Sequence, residues 1–368
     1  MTDTKSIDAV IDDALASKGL VGVVVMVARE GQLVYSRAAG LADREAGEPM
    51  REDTIFRAAS LTKPLVAATI LAMAERGLLA IDDPVTAYLP YFRPLLADGT
   101  EPVITLRHLL THTAGLTYDY SHDPRISAGL TDTNASLEDM LRLIAEQPLS
   151  YVPGNSWLYS VAIDVLGGVA ATVHGATLGE AVEHYVTGPL GMTDTAFRVT
   201  DRNRLAVPYA DGETEPVRMG EPHAAPNPWG GETTFSPNRI FNEQAFQSGG
   251  AGMATTAPDF LRFLEAILHG GKSILGAEMA AQAMANQIDF EREPGAGFSF
   301  LGSYTVDPAR AGHDWPAGTV NWGGIYGHIW SIDPVQRISA VSLSNTAFYG
   351  GEKAYPQALR RAIHAYSA

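Results

Sequence analysis

Apolar positions along the first forty residues predict one helix followed by a hairpin. At 6–16 they recur every three or four residues, which is typical of an amphipathic helix. A β-branched apolar run at 22–28 and an alternating segment at 32–38 flank Arg29-Glu30-Gly31, whose composition favours a turn. The chain therefore opens with a helix and two antiparallel strands.

The C-terminal third has a similar mixture of patterns. Segments 298–306, 319–332 and 337–344 have strand patterns, with the last two joined across Asp333-Pro334. Segment 352–366 has the pattern of a closing helix. Because strands occur near both ends, the simplest assembly pairs them in one antiparallel sheet flanked by helices.

The middle of the chain has a different pattern. Pro- and Gly-rich connections separate helical patterns at about 105–112, 136–147, 157–173 and 178–187. We expect an α+β fold with the active site in a cleft between two lobes. The predicted lobes are an α/β lobe made of residues 1–75 and 246–368, and a mostly helical inserted lobe made of residues 76–245.

Segment 206–247 contains six prolines, four glycines and few periodic apolar residues. This composition predicts an extended, irregular excursion. Long irregular segments are often functional, so this one is a candidate to line the cleft. The alternative is an ordinary surface loop.

Composition and charge exclude several classes of function. Apolar residues make up 46% of the chain, and no apolar run approaches the roughly 20 residues that a membrane helix needs. Twenty-six Lys plus Arg against 42 Asp plus Glu give a net charge of −16, which repels phosphate backbones and anionic membranes. We expect neither a nucleic-acid partner nor a membrane partner.

The chain has no cysteine, which removes disulfides, thiolate metal sites and cysteine nucleophiles. Any covalent catalysis must therefore use another side chain. The first ten residues carry three charged side chains and lack the apolar stretch of a signal peptide, so we expect a cytoplasmic protein. These features do not predict an oligomeric state.

Ser60 and Lys63 stand three residues apart at the start of the most apolar helix pattern. Nine of the ten residues at 65–74 are apolar, so this helix is expected to be buried on every side. Proline is tolerated only near a helix start, and Pro64 therefore places the first turn within a residue or two of Ser60.

The spacing of Ser60 and Lys63 permits a nucleophile and its base. Residues at i and i+3 share a helix face, with Cβ atoms about 5–6 Å apart. Burial and the positive end of the helix dipole disfavour an ammonium ion, so a neutral Lys63 can take the proton of Ser60. The same dipole stabilises an oxyanion. The alternative is that Ser60 caps a core helix and Lys63 reaches solvent.

Five segments, in this order, resemble the serine β-lactamase-like hydrolases. They are S-L-T-K at 60–63, L-L-T-H-T-A-G-L at 109–116, Tyr159-Ser160, S-G-G-A-G-M at 248–253 and Trp322-Gly323-Gly324. The chain is most similar to the family VIII carboxylesterases, in the class C β-lactamase-like branch, from about Val21 to its C-terminus. The resemblance implies the fold of β-lactamases and penicillin-binding proteins.

The resemblance also implies the roles of the catalytic residues. Ser60 is the nucleophile, Lys63 its base, and Tyr159 a second proton carrier between the nucleophile and the leaving group. A tyrosine phenol needs a nearby cation such as Lys63 to act as a base. Without the family, a core tyrosine with a satisfied hydroxyl is the default interpretation of Tyr159. The implied oxyanion hole consists of the backbone N–H groups of Ser60 and Ile325.

Two departures from the family pattern favour esters over β-lactams or peptides. Trp322-Gly323-Gly324 stands where β-lactamases and penicillin-binding proteins carry Lys-Thr-Gly, and an indole has no positive charge to bind a substrate carboxylate. Tyr159-Ser160-Val161 lacks the asparagine of the usual Tyr-x-Asn, whose amide can bond to a substrate amide.

Six residues are candidates for substrate contact. Gly323 and Gly324 would let a substrate lie against their strand. Trp322 beside them either contacts the substrate or is an ordinary aromatic residue of the core. Tyr118 and Tyr120 either form walls of an acyl pocket or are ordinary aromatic residues of a loop. His328 either faces the cleft or is a strand histidine whose ring nitrogens are hydrogen-bonded within the protein. These residues are Trp322, Gly323, Gly324, Tyr118, Tyr120 and His328.

Other motifs are set aside. His108 and His112 have metal-ligand spacing but no glutamate between them, and neither G-x-S-x-G nor G-x-G-x-x-G occurs in a matching context. We interpret Asp82-Asp83 as turn residues and Asp164 as a packing residue. We expect no metal and no cofactor.

The sequence therefore predicts a serine carboxylesterase that hydrolyses small or short-chain esters through an acyl-enzyme intermediate on Ser60. The alternatives with the same fold are a β-lactamase, a D-amino-acid amidase or peptidase, and an acyltransferase. A non-catalytic sensor or binding domain is the alternative from another class. The sequence leaves open which of Lys63 and Tyr159 is the general base in each step.

Overall fold

The computed structural model describes residues 5–120, 123, 125–228, 230–312, 315–352 and 354–365. Its strands are β1 (Gly22–Arg29), β2 (Gln32–Asp43), β3 (Glu48–Pro49), β4 (Phe56–Arg57), β5 (Tyr209–Ala210), β6 (Val217–Arg218), β7 (His223–Pro226), β8 (Glu232–Phe235), β9 (Ala254–Thr255), β10 (Ala296–Phe298), β11 (Ser303–Thr305), β12 (Val320–Gly324), β13 (His328–Asp333) and β14 (Ile338–Ser344). Its α-helices are α1 (Lys5–Ala16), α2 (Thr62–Glu75), α3 (Leu106–Leu110), α4 (Leu137–Ala145), α5 (Ala162–His174), α6 (Leu178–Val182), α7 (Ala257–Leu268), α8 (Ala277–Met284), α9 (Pro308–Ala311), α10 (Tyr349–Glu352) and α11 (Ala354–Ala365).

An antiparallel sheet joins strands from both ends of the chain, in the order β10-β11-β12-β13-β14-β1-β2-β3. Strand β1 is internal to this sheet. Val23 pairs with Ser344 of β14, and Val25 pairs with Arg37 of β2. The predicted α+β fold, with a sheet built from both termini and flanked by helices, is confirmed.

The two faces of β1 belong to different hydrophobic clusters. Val23, Val25 and Val27 pack with α1 and α11, whereas Val24 and Met26 pack in the layer that contains α2 and α7. This alternation follows from the two-residue period of a strand. Burying each of these side chains contributes about 1.5–3 kcal/mol, so β1 holds both helical layers to the sheet.

Two of the predicted strands are each divided by a turn. Segment 298–306 contains the end of β10 and all of β11, with Ser299 N donating to Gly302 O between them (2.8 Å). Segment 319–332 contains β12 and β13, where Gly327 N donates to Gly324 O (2.8 Å). The prediction of single strands was wrong because the apolar pattern continues through glycines at which the chain reverses.

The helices predicted elsewhere are present, with one shifted start. Helix α5 begins at Ala162 rather than at 157, because the preceding backbone bonds to another segment. Leu158 N donates to His112 O (3.1 Å) and Val161 N to Thr117 O (3.4 Å). Tyr159 therefore lies in extended chain just before α5. Of the closing helix predicted at 352–366, residues 353 and 366 lie outside the described residues. The boundaries of the two lobes remain a prediction.

Segment 206–247 is more ordered than its composition predicts. It forms two small hairpins, β5–β6 and β7–β8, followed by a 3-10 turn at Pro237–Phe241. Phe235 packs against Tyr326 and Phe348, with ring centroids 5.1 and 6.0 Å apart. The segment thus covers the turn that follows β12.

Helix α2 is buried along almost its whole length, as its composition predicts. Every residue from Thr62 to Met73 is buried. In the part of the chain that the structure describes, no single helix is long and apolar enough to span a membrane. Helix α5 and the stretch Leu178–Leu190 meet that criterion only when joined across an 80° bend.

Candidate active site

Ser60 lies in a 3-10 turn, Ala59–Leu61, directly before α2. Ala59 has a φ of 45°, a left-handed conformation that costs an alanine roughly 1–2 kcal/mol. Ala59 is buried in a hydrophobic cluster that includes Phe235 and Tyr326, and this packing holds the strained residue in place. The hydroxyl of Ser60 is thereby presented at the N-terminal, positive end of α2.

Lys63 brings its amine back to Ser60, the predicted nucleophile. Nζ donates to Ser60 Oγ (3.1 Å) and to the carbonyl oxygen of Gly250 (2.7 Å). It also lies 4.7 Å from the ring centre of Tyr159 and 5.3 Å from that of Tyr118. Lys63 is 5% exposed. The alternative in which this side chain reaches solvent is therefore wrong.

Tyr159 stands among aromatic side chains. Its hydroxyl oxygen accepts a hydrogen bond from the indole N–H of Trp322 (3.1 Å), and the two rings lie 5.0 Å apart. Trp157 stacks on Tyr159 at 6.4 Å, and the His112 ring lies 4.9 Å away. These contacts fix the phenol beside Lys63, so the structure brings all three predicted catalytic side chains together.

His112 is part of this aromatic group and is not paired with His108. Its Nδ1 lies 3.3 Å from Ser160 Oγ, and burial, with a smaller effect of Lys63, holds its pKa well below the usual value. His108 instead completes a capping box with Thr105 at the start of α3. Among the described residues, no three or more His, Asp or Glu side chains group as metal ligands.

Gly324 brings the end of β12 against the turn that carries Ser60. A Cβ at this position would lie 2.9 Å from the carbonyl oxygen of Ala58, so only glycine permits the approach. Ile325, the next residue, packs on the same hydrophobic cluster as Ala59. Ser60 and Ile325 are predicted to supply the N–H groups of the oxyanion hole. They follow two backbone segments, at Ala58 and at Gly324, that lie in contact with each other.

The other predicted substrate contacts divide into two groups. Trp322 and Gly323 are partly exposed beside Tyr159, and Tyr118 lies near Lys63, where burial raises its pKa above the ordinary value. The structure does not bring Tyr120 to the cleft, because this side chain is 6% exposed and packs in the main core.

His328 also lies away from the cleft. It is fully buried, and Nε2 donates to the carbonyl oxygen of Arg57 (2.8 Å) while Nδ1 accepts from Ser344 N (3.3 Å). Burial lowers the pKa of His328 to about 4, so the imidazole is neutral near pH 7. Its placement among substrate-binding residues is corrected: it links β13 to β4 and β14.

A mostly apolar cavity adjoins the catalytic side chains. It is narrow, with about 10 Å³ available to the centre of a water-sized molecule. Lys63, Tyr159 and Trp322 border it on one side. The remaining lining residues are Leu110, His112, Ile163, Phe298, Phe300 and Leu301.

Sequence reasoning missed two neighbours of this group. Trp157 stands two residues before Tyr159 in extended chain, which places both side chains on one face. The two-residue spacing between Trp157 and Tyr159 could therefore have indicated the position of Trp157. The guanidinium carbon of Arg292 lies 4.9 Å from the Trp157 ring centre and 5.5 Å from that of Trp322. No local pattern marks Arg292.

Comparison with known proteins finds relatives that are named esterases and acyltransferases. Esterase EstB of Burkholderia gladioli is 47% identical over 371 aligned residues, which cover 98% of this chain and 94% of that protein. Acyltransferase calJ of Penicillium decumbens is 25% identical, with 87% of this chain and 82% of that protein covered. The solved structure of EstCE1, described as a hydrolase with promiscuous acyltransferase activity, is 39% identical over 98% of both chains, with a TM-score of 0.94.

A family model agrees with these relatives. The model described as Beta-lactamase matches residues 7–365, nearly the whole chain. The resemblance inferred from the ordered motifs, from S-L-T-K to Trp322-Gly323-Gly324, is therefore confirmed. The chain belongs to the β-lactamase family.

Proposed function

We propose that this enzyme hydrolyses small carboxylic esters through an acyl-enzyme on Ser60. The observation that carries the proposal is the 3.1 Å separation of Lys63 Nζ from Ser60 Oγ, with the amine buried. A buried amine at hydrogen-bond distance can accept the hydroxyl proton as the oxygen attacks. The esterase relatives support ester hydrolysis as the reaction, in the branch of the family VIII carboxylesterases.

The reaction has two halves. Ser60 Oγ attacks the ester carbonyl carbon and gives its proton to the base, and the tetrahedral intermediate then expels the alcohol, which takes up a proton. Water attacks the acyl-enzyme in the same way and releases the carboxylic acid. Lys63 and Tyr159 share these proton transfers, since the Lys63 amine contacts the Ser60 hydroxyl and lies 4.7 Å from the ring centre of Tyr159.

The negative charge of each tetrahedral intermediate falls on the former carbonyl oxygen. We assign the backbone N–H groups of Ser60 and Ile325 to hold it. The positive end of α2 adds to their effect because Ser60 directly precedes that helix. The contact between Gly324 and Ala58 supports this assignment, since it keeps the two donors on adjoining segments.

The side chains around Ser60 favour esters over amides. Trp322 offers an indole where relatives that act on β-lactams carry a lysine, so a substrate carboxylate has no cation to bind there. Tyr118 and Trp322 flank Lys63 and Tyr159 and are the proposed walls for a small acyl group. We expect weak or no turnover of β-lactams.

Acyl transfer is a second candidate because an alcohol can replace water in the second half-reaction. The support is that calJ is named an acyltransferase and EstCE1 is described as having that activity beside hydrolysis. For this chain, the discriminating observation is the share of acyl groups that reach an added alcohol rather than water.

The test compares p-nitrophenyl esters from acetate to octanoate with nitrocefin. Wild type should turn over short esters, with activity lost in Ser60→Ala and strongly reduced in Tyr159→Phe. Tyr88→Phe is the matched control, because the Tyr88 hydroxyl donates only to the surface residue Asp83 (2.5 Å). Ester turnover that survives Ser60→Ala would refute the proposal. A sensor or binding domain would show no turnover and no labelling by a fluorophosphonate.

Other expectations from the sequence accompany this proposal. The net charge of −16 disfavours nucleic acid and anionic membranes as partners. A cytoplasmic location stays a prediction.

A further inference from the structure

Asp164 is a buried carboxylic acid for which the ester-hydrolysis mechanism has no role. It lies in the first turn of α5, five residues after Tyr159, and is 2% exposed. Within the described residues, its Oδ2 has no hydrogen-bond partner. A buried carboxyl group is costly, so its position near the site needs a physical reason.

The hydrogen bonds of Asp164 lead to the catalytic amine. Oδ1 accepts from Ser248 Oγ (2.5 Å) and from Gly250 N (3.2 Å). The carbonyl oxygen of Gly250 then accepts from Lys63 Nζ (2.7 Å). One residue, Gly250, thus connects the carboxyl group to the amine.

The backbone at Gly249 and Gly250 packs directly against α5 and leaves no room for a side chain. A Cβ on Gly250 would stand 2.6 Å from Asp164 Oδ2 and 3.1 Å from the hydroxyl of Tyr118. A Cβ on Gly249 would stand 2.5 Å from the carbonyl oxygen of Ile163, in the same turn of α5. These contacts leave the Gly250 carbonyl little freedom to move.

We propose that Asp164 is a positioning residue, whose carboxyl group holds Gly250 so that the Gly250 carbonyl fixes the Lys63 amine against Ser60. This inference rests on the proposed function, in which Lys63 must meet the hydroxyl of Ser60. An amine on four rotatable carbons needs a second, fixed acceptor to stay at one position. Gly250 supplies that acceptor, and Asp164 fixes Gly250.

The electrostatics agree with this role. Burial raises the pKa of Asp164, while the hydrogen bonds from Ser248 and Gly250 oppose the rise. Both hydrogen bonds go to one oxygen, Oδ1, which an asparagine also has. The proposed role therefore depends on the acceptor oxygen and not on a full negative charge.

The first test separates the acceptor oxygen of Asp164 from its negative charge. Asp164→Asn keeps Oδ1 as an acceptor and should retain kcat for p-nitrophenyl acetate within about fivefold. Asp164→Ala removes the acceptor and should lower kcat about 100-fold, with KM changed less than about threefold, because the amine is misplaced while substrate contacts persist. The rate of fluorophosphonate labelling at Ser60 should fall in parallel with kcat.

Two further variants keep the test decisive if Asp164→Ala folds poorly. Gly250→Ala removes no buried group but forces a Cβ against Oδ2, and it should also lower kcat with little change in KM. Asp259→Ala removes another buried carboxylate, which accepts from Asp194 N and Thr195 Oγ1, and it should lower Tm without changing kcat.

The possible failures are distinguishable. A wild-type enzyme that is not labelled at Ser60 contradicts the proposed function. Wild-type labelling at a rate unchanged in Asp164→Ala and Gly250→Ala overturns only the positioning role. An Asp164→Asn enzyme as impaired as Asp164→Ala also overturns it, because the charge would then matter and not the acceptor.

Discussion

The indole N–H of Trp322 donates to the phenolic oxygen of Tyr159 at 3.1 Å. The family resemblance implies that Trp322 stands where β-lactamases carry the lysine of Lys-Thr-Gly, and therefore that a neutral donor replaces a cation beside the tyrosine. Because the oxygen of Tyr159 accepts this bond, the phenol keeps its own proton for another acceptor. The tryptophan thus orients the tyrosine that we propose as a proton carrier.

Removing that donor should slow catalysis modestly. Trp322→Phe keeps an aromatic ring but no N–H, and a lost neutral hydrogen bond is worth about 0.5–1.5 kcal/mol, so kcat should fall about two- to tenfold. Steady-state hydrolysis of p-nitrophenyl acetate measures the change. Trp330→Phe is the control, since the Trp330 N–H donates no hydrogen bond within the described residues. Equal effects of the two substitutions would contradict a specific role.

The lysine can be tested by an apolar replacement of similar length. Lys63→Met removes the proposed base, so we expect kcat to fall about 10²- to 10⁴-fold. The free energy of unfolding should fall little or rise, because the variant no longer buries an amine. Urea unfolding and ester hydrolysis measure the two effects. Lys18→Met, at an exposed lysine, should change neither. Nearly full activity of Lys63→Met would contradict its assignment as base.

The glycine at the end of β12 should be essential for activity. Gly324→Ala places a Cβ 2.9 Å from the carbonyl oxygen of Ala58, which must move β12 away from the turn that carries Ser60. A displacement of about 1 Å at a catalytic group can cost about 100-fold in kcat. Gly220→Ala is the control, since its nearest neighbour would be 3.6 Å away. Unchanged kcat in Gly324→Ala would argue against the assigned oxyanion hole.

Acid should destabilise the protein in part through His328. The unfolded histidine binds a proton below about pH 6.5, whereas the folded one, with its pKa lowered by burial to about 4, does not. The unfolded state therefore binds more protons between these values. The free energy of unfolding should fall by up to about 3 kcal/mol as pH drops from 6.5 to 4.

The measurement for His328 is urea unfolding across this pH range. In His328→Gln the acid-dependent loss should be smaller than in wild type by the amount that the histidine contributes. His184→Gln, at an exposed histidine, is the control for the loss of an imidazole. If the free energy of unfolding changed with pH in the same way for wild type and His328→Gln, burial would not have lowered the pKa of His328, which contradicts the prediction.

The features that could be predicted from the sequence depend on residues that lie only a few positions apart along the chain. The i, i+3 relation of Ser60 and Lys63 and the apolar run after them predicted a buried helix that starts at the nucleophile, and the structure has it. The family motifs added Tyr159 and Trp322, which no local pattern joins to Ser60. Their roles in catalysis stay a prediction, although the structure brings them together.

The features that could not be predicted depend on contacts between distant segments. Asp164 was interpreted as a packing residue because its helix pattern is apolar, and nothing nearby in sequence points to Gly250. The sequence left open whether His328 faces the cleft or is a strand histidine whose hydrogen bonds are satisfied, although His328 was included among the candidates for substrate contact. Its ring is buried and bonds to the backbone of Arg57 in β4, outside the sheet that contains β13. Such outcomes follow from tertiary packing, which apolar periodicity does not encode.

The pairing of Val23 with Ser344 also governs when the protein can finish folding. During synthesis β1 and β2 leave the ribosome well before β14, which lies roughly 300 residues further along the chain. Until then one edge of the valine-rich β1 has no partner, and such edges promote association between chains. Native sheet formation must await the synthesis of β14, so this long-range pairing is expected to make folding slow.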